Sequence, residues 1–350
     1  MCQYLNATYK RGATMKKRMF EDKDMSENRF PTGEGRRCLV LGGRGFIGSH
    51  LVSALLRRGF RVRCFDRPHV EPIGESFLSN PNFELYEGDF ASESDVAEAI
   101  RDCAFCYHLV STTLPKSSNL DPIFDVESNV VGSIRLLNHA KKNGLQKIIF
   151  VSSGGTVYGP PVENPIPETH PTNPICSYGI SKLMIEKYLS LFLELHNLDY
   201  TVLRLANPFG EGQRTVASQG VVAVFAGKML RGEPIEIWGD GSVVRDYIYI
   251  SDVVNALLLS IFPSRGQHVL NIGSGRGRSL NEVIAAIESA FHCQAVKRYL
   301  DARVFDVPAN VLNIEAARKF LGWCPEVEFA QGVNNFCKWL QAVEGNSPSP

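Results

Sequence analysis

The 350-residue sequence predicts an α/β fold: a doubly wound parallel sheet with a smaller C-terminal lobe. Three observations carry this expectation. From Arg37 short apolar runs alternate with amphipathic stretches, the pattern of strands covered on both faces by helices. The first apolar run ends in a glycine-rich turn, Gly42-Gly43-Arg44-Gly45-Phe46-Ile47-Gly48, which opens an amphipathic stretch. Beyond Asn207 the alternation loosens, and there the lobe begins.

In chain order, the apolar run at 38–41 is stopped by glycine and reads as a buried strand. The segment 47–58 repeats apolar residues at helical spacing and ends before Gly59. Strands at 61–65 and 83–87 are short and carry aromatic residues. The amphipathic stretches 93–101, 124–142 and 178–196 read as helices, and the apolar runs 105–109, 148–151 and 200–204 as the strands between them. In the lobe, 220–231 and 280–291 read as helices, 235–237 and 247–250 as short strands. The expected organisation is an N-terminal extension over 1–36, a first domain over 37–206 and a lobe over 207–345 whose strands can interleave with it.

Composition narrows the function. Thirty-seven basic and thirty-seven acidic residues cancel, which leaves no global field to gather nucleic acid or an anionic membrane. Nine scattered cysteines fit reduced thiols of a cytoplasmic protein better than a disulfide framework. Cys103-Ala-Phe-Cys106 lies inside an apolar strand-like run, and packing is its expected role. The eight histidines show no metal-ligand spacing, so no protein-bound metal is expected. Residues 1–36 are polar, with methionines at 1, 15, 19 and 25 and no run long enough for a signal peptide or membrane span. They read as a disordered extension, or as the product of a start codon placed too far upstream.

The glycine-rich turn, with Phe46 and Ile47 starting the helix behind it, lets backbone amides approach a pyrophosphate. Asp66 ends the next strand at about the ~20-residue offset where a carboxylate binds ribose hydroxyls. Gly42, Gly45, Phe46, Ile47, Gly48 and Asp66 therefore form a candidate dinucleotide site. A carboxylate at 66 favours NAD by repelling a ribose phosphate, while Arg67 beside it could hold that phosphate in NADP. Asp89, just past the strand at 83–87, is placed for the adenine amino group. Downstream, Tyr178-Gly-Ile-Ser-Lys182 puts a phenol and an ammonium four residues apart on one helical face. A cation beside a phenol favours phenolate. Bringing the phenol to neutrality takes roughly 4 kcal/mol, to be shared between lysine and a cationic nicotinamide.

Taken together, these residues resemble the extended short-chain dehydrogenase/reductase family, and within it the nucleotide-sugar epimerases, over roughly 37–340. The motifs are the glycine-rich turn, Gly88-Asp89, Asn129-Val-Val-Gly132, Ser152-Ser-Gly-Gly-Thr-Val-Tyr-Gly159, Tyr178-x-x-x-Lys182, Arg204-Leu-Ala-Asn-Pro-Phe-Gly210, Trp238-Gly-Asp-Gly-Ser-Val-Val-Arg-Asp246 and Arg303-Val-Phe-Asp306. The resemblance implies a Rossmann sheet holding NAD, with Lys182 on the nicotinamide ribose and Tyr178 as base. It implies a UDP-sugar substrate, with Asn207, Arg245 and Arg303 around the diphosphate and Asp306 near the nucleoside. It also implies C4 inversion through a 4-keto sugar, and a homodimer formed through the helices at 124–142 and 178–196.

Two positions depart from the family pattern. The serine or threonine that usually relays the proton is Gly154 here; Ser152, Ser153, Thr156 or a water could substitute, and Ser153 is the first choice. The gatekeeper at the sugar C2 substituent is Asn310, which implies that plain hexoses and N-acetylhexosamines both fit. A 4,6-dehydratase needs an acid and a base where Gly155 and Thr156 stand, which argues against that activity. A net dehydrogenase or reductase, and a dinucleotide-binding protein without turnover, are the remaining alternatives.

Overall fold

The computed structural model of the chain describes residues 29–68, 77, 79–216, 220–264, 266–302 and 307–344. The expected extension falls largely outside these residues. Its last part is ordered: Gly33 N–H donates to Arg58 O at 2.8 Å, and the Arg36 guanidinium lies over the rings of Phe60 and Phe105.

The first half runs β1 (Arg37–Leu41), α1 (Phe46–Arg57), β2 (Arg61–Asp66), β3 (Phe83–Glu87), α2 (Glu93–Ala99), β4 (Phe105–His108), α3 (Pro122–Asp125), a π-helical turn (Val126–Val131), α4 (Gly132–Lys142), β5 (Lys147–Ser153), α5 (Ser177–His196) and β6 (Asp199–Leu205). The second half runs β7 (Asn207–Phe209), α6 (Val221–Leu230), β8 (Ile235–Trp238), β9 (Val244–Tyr249), α7 (Ile250–Leu259), β10 (Val269–Ile272), β11 (Gly277–Ser279), α8 (Leu280–Phe291), β12 (Lys297–Leu300), β13 (Ala309–Asn310), α9 (Glu315–Leu321) and α10 (Phe329–Glu344).

Seven parallel strands form the central sheet in the order β10-β6-β5-β4-β1-β2-β3. The chain builds outward from β1 to β3, then returns to lay β4 on the other side of β1. That reversal opens a crevice at the carboxyl ends of β1 and β4. Helices α1 and α7 pack together, while α4 lies between α2 and α5. The core on the α2/α4/α5 side joins Leu39, Val96, Leu136, Ile148 and Leu189, all buried. Strand β10 comes from the range read as the lobe yet completes this sheet, so second-half chain interleaves with the first. The rest of the second half supplies a small sheet around β9, which pairs with β7, β11 and β13, and the β8/β12 pair.

Local chemistry sets several boundaries. Ser92 caps α2 by accepting from Asp95 N–H, Asp121 caps α3 ahead of Pro122, and Ser279 with Glu282 forms a capping box on α8. The single helix expected over 124–142 is interrupted by the π turn. The strand expected at 247–250 instead ends at Tyr249, and α7 starts at Ile250.

Candidate active site

The turn after β1 is shaped by close backbone approach. Gly42 has φ +80°, and a Cβ on Gly48 would stand 2.1 Å from Gly42 O, so glycine is required at both. Helix α1 begins behind Gly45 with no side-chain cap, which leaves the first amides, at Phe46 and Ile47, facing the crevice for an anion. At the end of β2, the Asp66 carboxylate accepts from the backbone N–H of Arg44 and of Arg67, both at 2.9 Å. It thereby ties the glycine-rich turn to the second strand where a ribose would lie. Asp89 is exposed, accepts from Ala91 N–H and donates its own N–H to Asp95. An uncapped helix start, a cradle a Cβ would fill and a fixed carboxylate one strand away fit a dinucleotide.

Helix α5 carries Tyr178 and Lys182 on one face. The Lys182 ammonium is buried, donates to Val151 O at 3.0 Å, and lies 4.8 Å from the Phe150 ring centroid and 5.5 Å from that of Tyr178. Burial pulls Lys182 down to about 8, against raising contributions from Asp125 and Glu186. Tyr178 moves the other way: burial, then the charges of Cys176 and Asp125, push its phenol up to about 12 against a lowering hydrogen bond with Ser111. In the protein's own field burial is the dominant influence on the phenol, and Lys182 is not among the groups that lower it.

A cleft of about 510 Å³ joins the two halves of the site. Its wall includes Phe46 and Ile47 from the glycine-rich turn, Ser153, Tyr178, Asn207 and Arg245. Asn207 is anchored through Nδ2 to Asp246 O at 2.8 Å, and Arg245 donates through Nη1 to Val307 O at 2.7 Å. Asp246, fully buried, accepts from Ser274 N–H and Oγ, Gly275 N–H and Leu312 N–H, and so fixes β9 beside the cleft.

The hydroxyls near Gly154 differ in what occupies them. Ser152, Ser153 and Thr156 all line the cleft, but Ser152 Oγ is committed to Glu186 at 2.5 Å, whereas the buried Thr156 Oγ1 has no hydrogen-bond partner among the described residues. Position 154 itself is closed to a side chain. A Cβ there would stand 2.6 Å from Leu312 Cδ1 and 3.2 Å from Leu205 O, and Leu312 is itself fully buried against Val157, Tyr158 and Ile166. Asn310 is buried in β13 with Nδ2 3.4 Å from Gly154 O, behind that segment and absent from the cleft lining. Arg303 and Asp306 lie outside the described residues.

The expected packing thiols Cys103 and Cys106 are buried, and burial raises both. Among the described residues no group of three or more potential ligands could hold a metal, and no helix is long and apolar enough to cross a membrane. Sequence reasoning missed the polar residues behind the catalytic helix, Thr113, Asp125, Ser177 and Ser181. The one local signal was the four-residue spacing of the two serines.

The profile of the NAD-dependent epimerase/dehydratase family matches residues 38–273. The UDP-glucose 4-epimerase of Mycolicibacterium smegmatis is 35% identical, over 85% of this chain and 96% of its own. The dTDP-4-dehydro-6-deoxyglucose reductase of Escherichia coli is 33% identical, over 87% and 97%. The crystal structure of the Thermotoga maritima UDP-glucose 4-epimerase with UDP-glucose superposes with a TM-score of 0.82 at 36% identity, covering 88% of this chain and 99% of that one.

Proposed function

This chain belongs to the NAD-dependent epimerase/dehydratase family, and from that premise we propose that it inverts C4 of a UDP-hexose or UDP-N-acetylhexosamine through a transient 4-keto sugar. The observation that carries the reading is the single cleft in which the dinucleotide turn, Tyr178 and the polar pair Asn207 and Arg245 meet. NAD, the family's cofactor, supplies reversible two-electron acceptance when bound, so the cycle needs no external oxidant.

The chain's own residues do the rest. Tyr178 takes the proton from O4 and returns it, with Ser153 the nearby hydroxyl free to relay it. Lys182, fixed by Val151 O, presents its charge beside the phenol and the nicotinamide ribose. Arg245 and Asn207 hold the diphosphate, so the nucleotide stays while the sugar turns. By the family resemblance Arg303 would join them at the diphosphate, with Asp306 near the nucleoside. In this reading Asn310, drawn back to the Gly154 carbonyl and out of the cleft, leaves room at C2 for an N-acetyl group.

Incubation with UDP-glucose, UDP-galactose or UDP-N-acetylglucosamine without added reductant should yield the C4 stereoisomer of each, identified by chromatography, with no accumulation of NADH. Stoichiometric NADH release would instead identify a net dehydrogenase, the reading that the reductase relative favours. No conversion of any sugar would overturn both.

The protein works in the cytoplasm as a homodimer in this reading. Ile180, Leu191 and Leu195 are exposed along one stripe of α5, and Ile123 and Phe124 are exposed on α3, an apolar surface suited to a second copy. Light scattering should give twice the chain mass, and Leu191→Glu with Leu195→Glu should reduce it to one. A wild-type monomer would rule the dimer out.

A further inference from the structure

Behind the catalytic helix lies a carboxylate that the proposed chemistry does not use. Asp125, at the end of α3, is fully buried. Its Oδ2 accepts from Ser177 Oγ and Ser181 Oγ, both at 2.7 Å. Its Oδ1 accepts from Asn129 Nδ2 at 3.0 Å and from Thr113 Oγ1. No arginine, lysine or histidine pairs with it among the described residues, so a buried charge is held by neutral donors alone. That is a costly arrangement.

The placement suggests what this cost supports. Ser177 and Ser181 each immediately precede a member of the Tyr178/Lys182 pair, so one carboxylate grips α5 at two points a turn apart. Thr113 brings in the loop that follows β4, in which Ser111 Oγ donates to Thr113 O at 3.1 Å. Asn129 comes from the π-helical turn that starts at the next residue, a distortion that recurs at functional sites.

We propose that Asp125 is a positioning residue for the catalytic pair: its carboxylate fixes the rotation of α5 that turns Tyr178 into the cleft and sets Lys182 beside it, and its charge helps keep Lys182 an ammonium. Of the two carboxylates that favour the ammonium, Asp125 contributes more. Glu186, one turn further on α5, adds to it while also pairing with Arg204 of β6 at 2.6 Å. His108 of β4 is neutral, pushed down to about 3 by burial and by Lys182 itself. Tyr178 is a neutral phenol in the protein's own field.

The inference rests on the epimerase reading for its kinetics but not for its titration. Asp125→Asn keeps the shape, and its amide can donate to both serine hydroxyls. In holoenzyme labelled with ε-13C lysine, and assigned against Lys182→Met, the Lys182 midpoint should fall by about one pH unit in Asp125→Asn. The alkaline limb of the kcat profile should fall with it while KM holds. The double variant Ser177→Ala with Ser181→Ala leaves the charge in place, and should lower kcat roughly tenfold without moving the midpoint. The proposal is overturned if Asp125→Asn titrates like wild type, or if the double-serine variant turns over at the wild-type rate. Should wild type show no turnover on any UDP-sugar, the epimerase reading fails while the NMR titration still decides the role of the charge.

Discussion

Tyr178→Phe should lower C4 inversion by roughly 10²–10⁴-fold, the range for removing a positioned general base, while leaving NAD content and thermal unfolding close to wild type. The expectation follows from where the phenol stands. It shares a cleft with the start of α1 and with Arg245, and the Lys182 charge lies 5.5 Å from its ring. Its oxygen is not part of the core, so deleting it costs little stability. Ser153→Ala should lose less, about tenfold, because Ser153 assists a proton that Tyr178 can take directly. Equal losses in the two variants would mean that the serine hydroxyl is obligatory. Retention of the wild-type rate by Tyr178→Phe would end the epimerase mechanism proposed here.

Glu186→Ala should destabilise the protein by about 3–5 kcal/mol, the range for breaking a buried ion pair from one side. Glu186 and Arg204 are both buried and meet through two bonds, Nε to Oε1 at 3.1 Å and Nη2 to Oε2 at 2.6 Å. Ser152 Oγ donates to the same carboxylate at 2.5 Å, and the guanidinium lies 4.7 Å from the Tyr158 ring centroid. Removing the carboxylate strands a desolvated cation between β6 and α5. Replacing both partners by Leu and Met should recover most of the loss, since no charge then stays buried. Urea unfolding measures both, and a loss under about 1 kcal/mol in Glu186→Ala would show that water reaches the guanidinium. Activity should fall with stability, because Glu186 sits one turn beyond Lys182 and holds the end of β5 through Ser152.

The parts of this site that could be read from the sequence are those whose geometry is local. The glycine-rich turn and the Tyr178/Lys182 spacing are set within a few residues by backbone sterics and helical pitch. Strand β10 was not expected, because Val269-Leu-Asn-Ile272 is a four-residue run that periodicity cannot tell from a buried helix segment. The start of α7 was read as strand because Tyr249-Ile250 continues an apolar run, and the polar pair Ser251-Asp252 comes only after the helix has begun. One extra residue per turn in the π segment leaves no trace in a 3.6-residue pattern. Asp125 was invisible for a different reason: apart from Asn129, four residues on, its partners lie 12, 52 and 56 positions away, and only the fold brings those together. The sequence also aimed the Asn310 amide at the sugar, whereas the fold turns it to the Gly154 carbonyl.

Leu312 fills the room a side chain at 154 would need, from within its own buried cluster. The two positions are therefore coupled: a hydroxyl-bearing side chain at 154 requires Leu312 to shift or shrink, and with leucine packed in place the relay has to come from elsewhere along the loop.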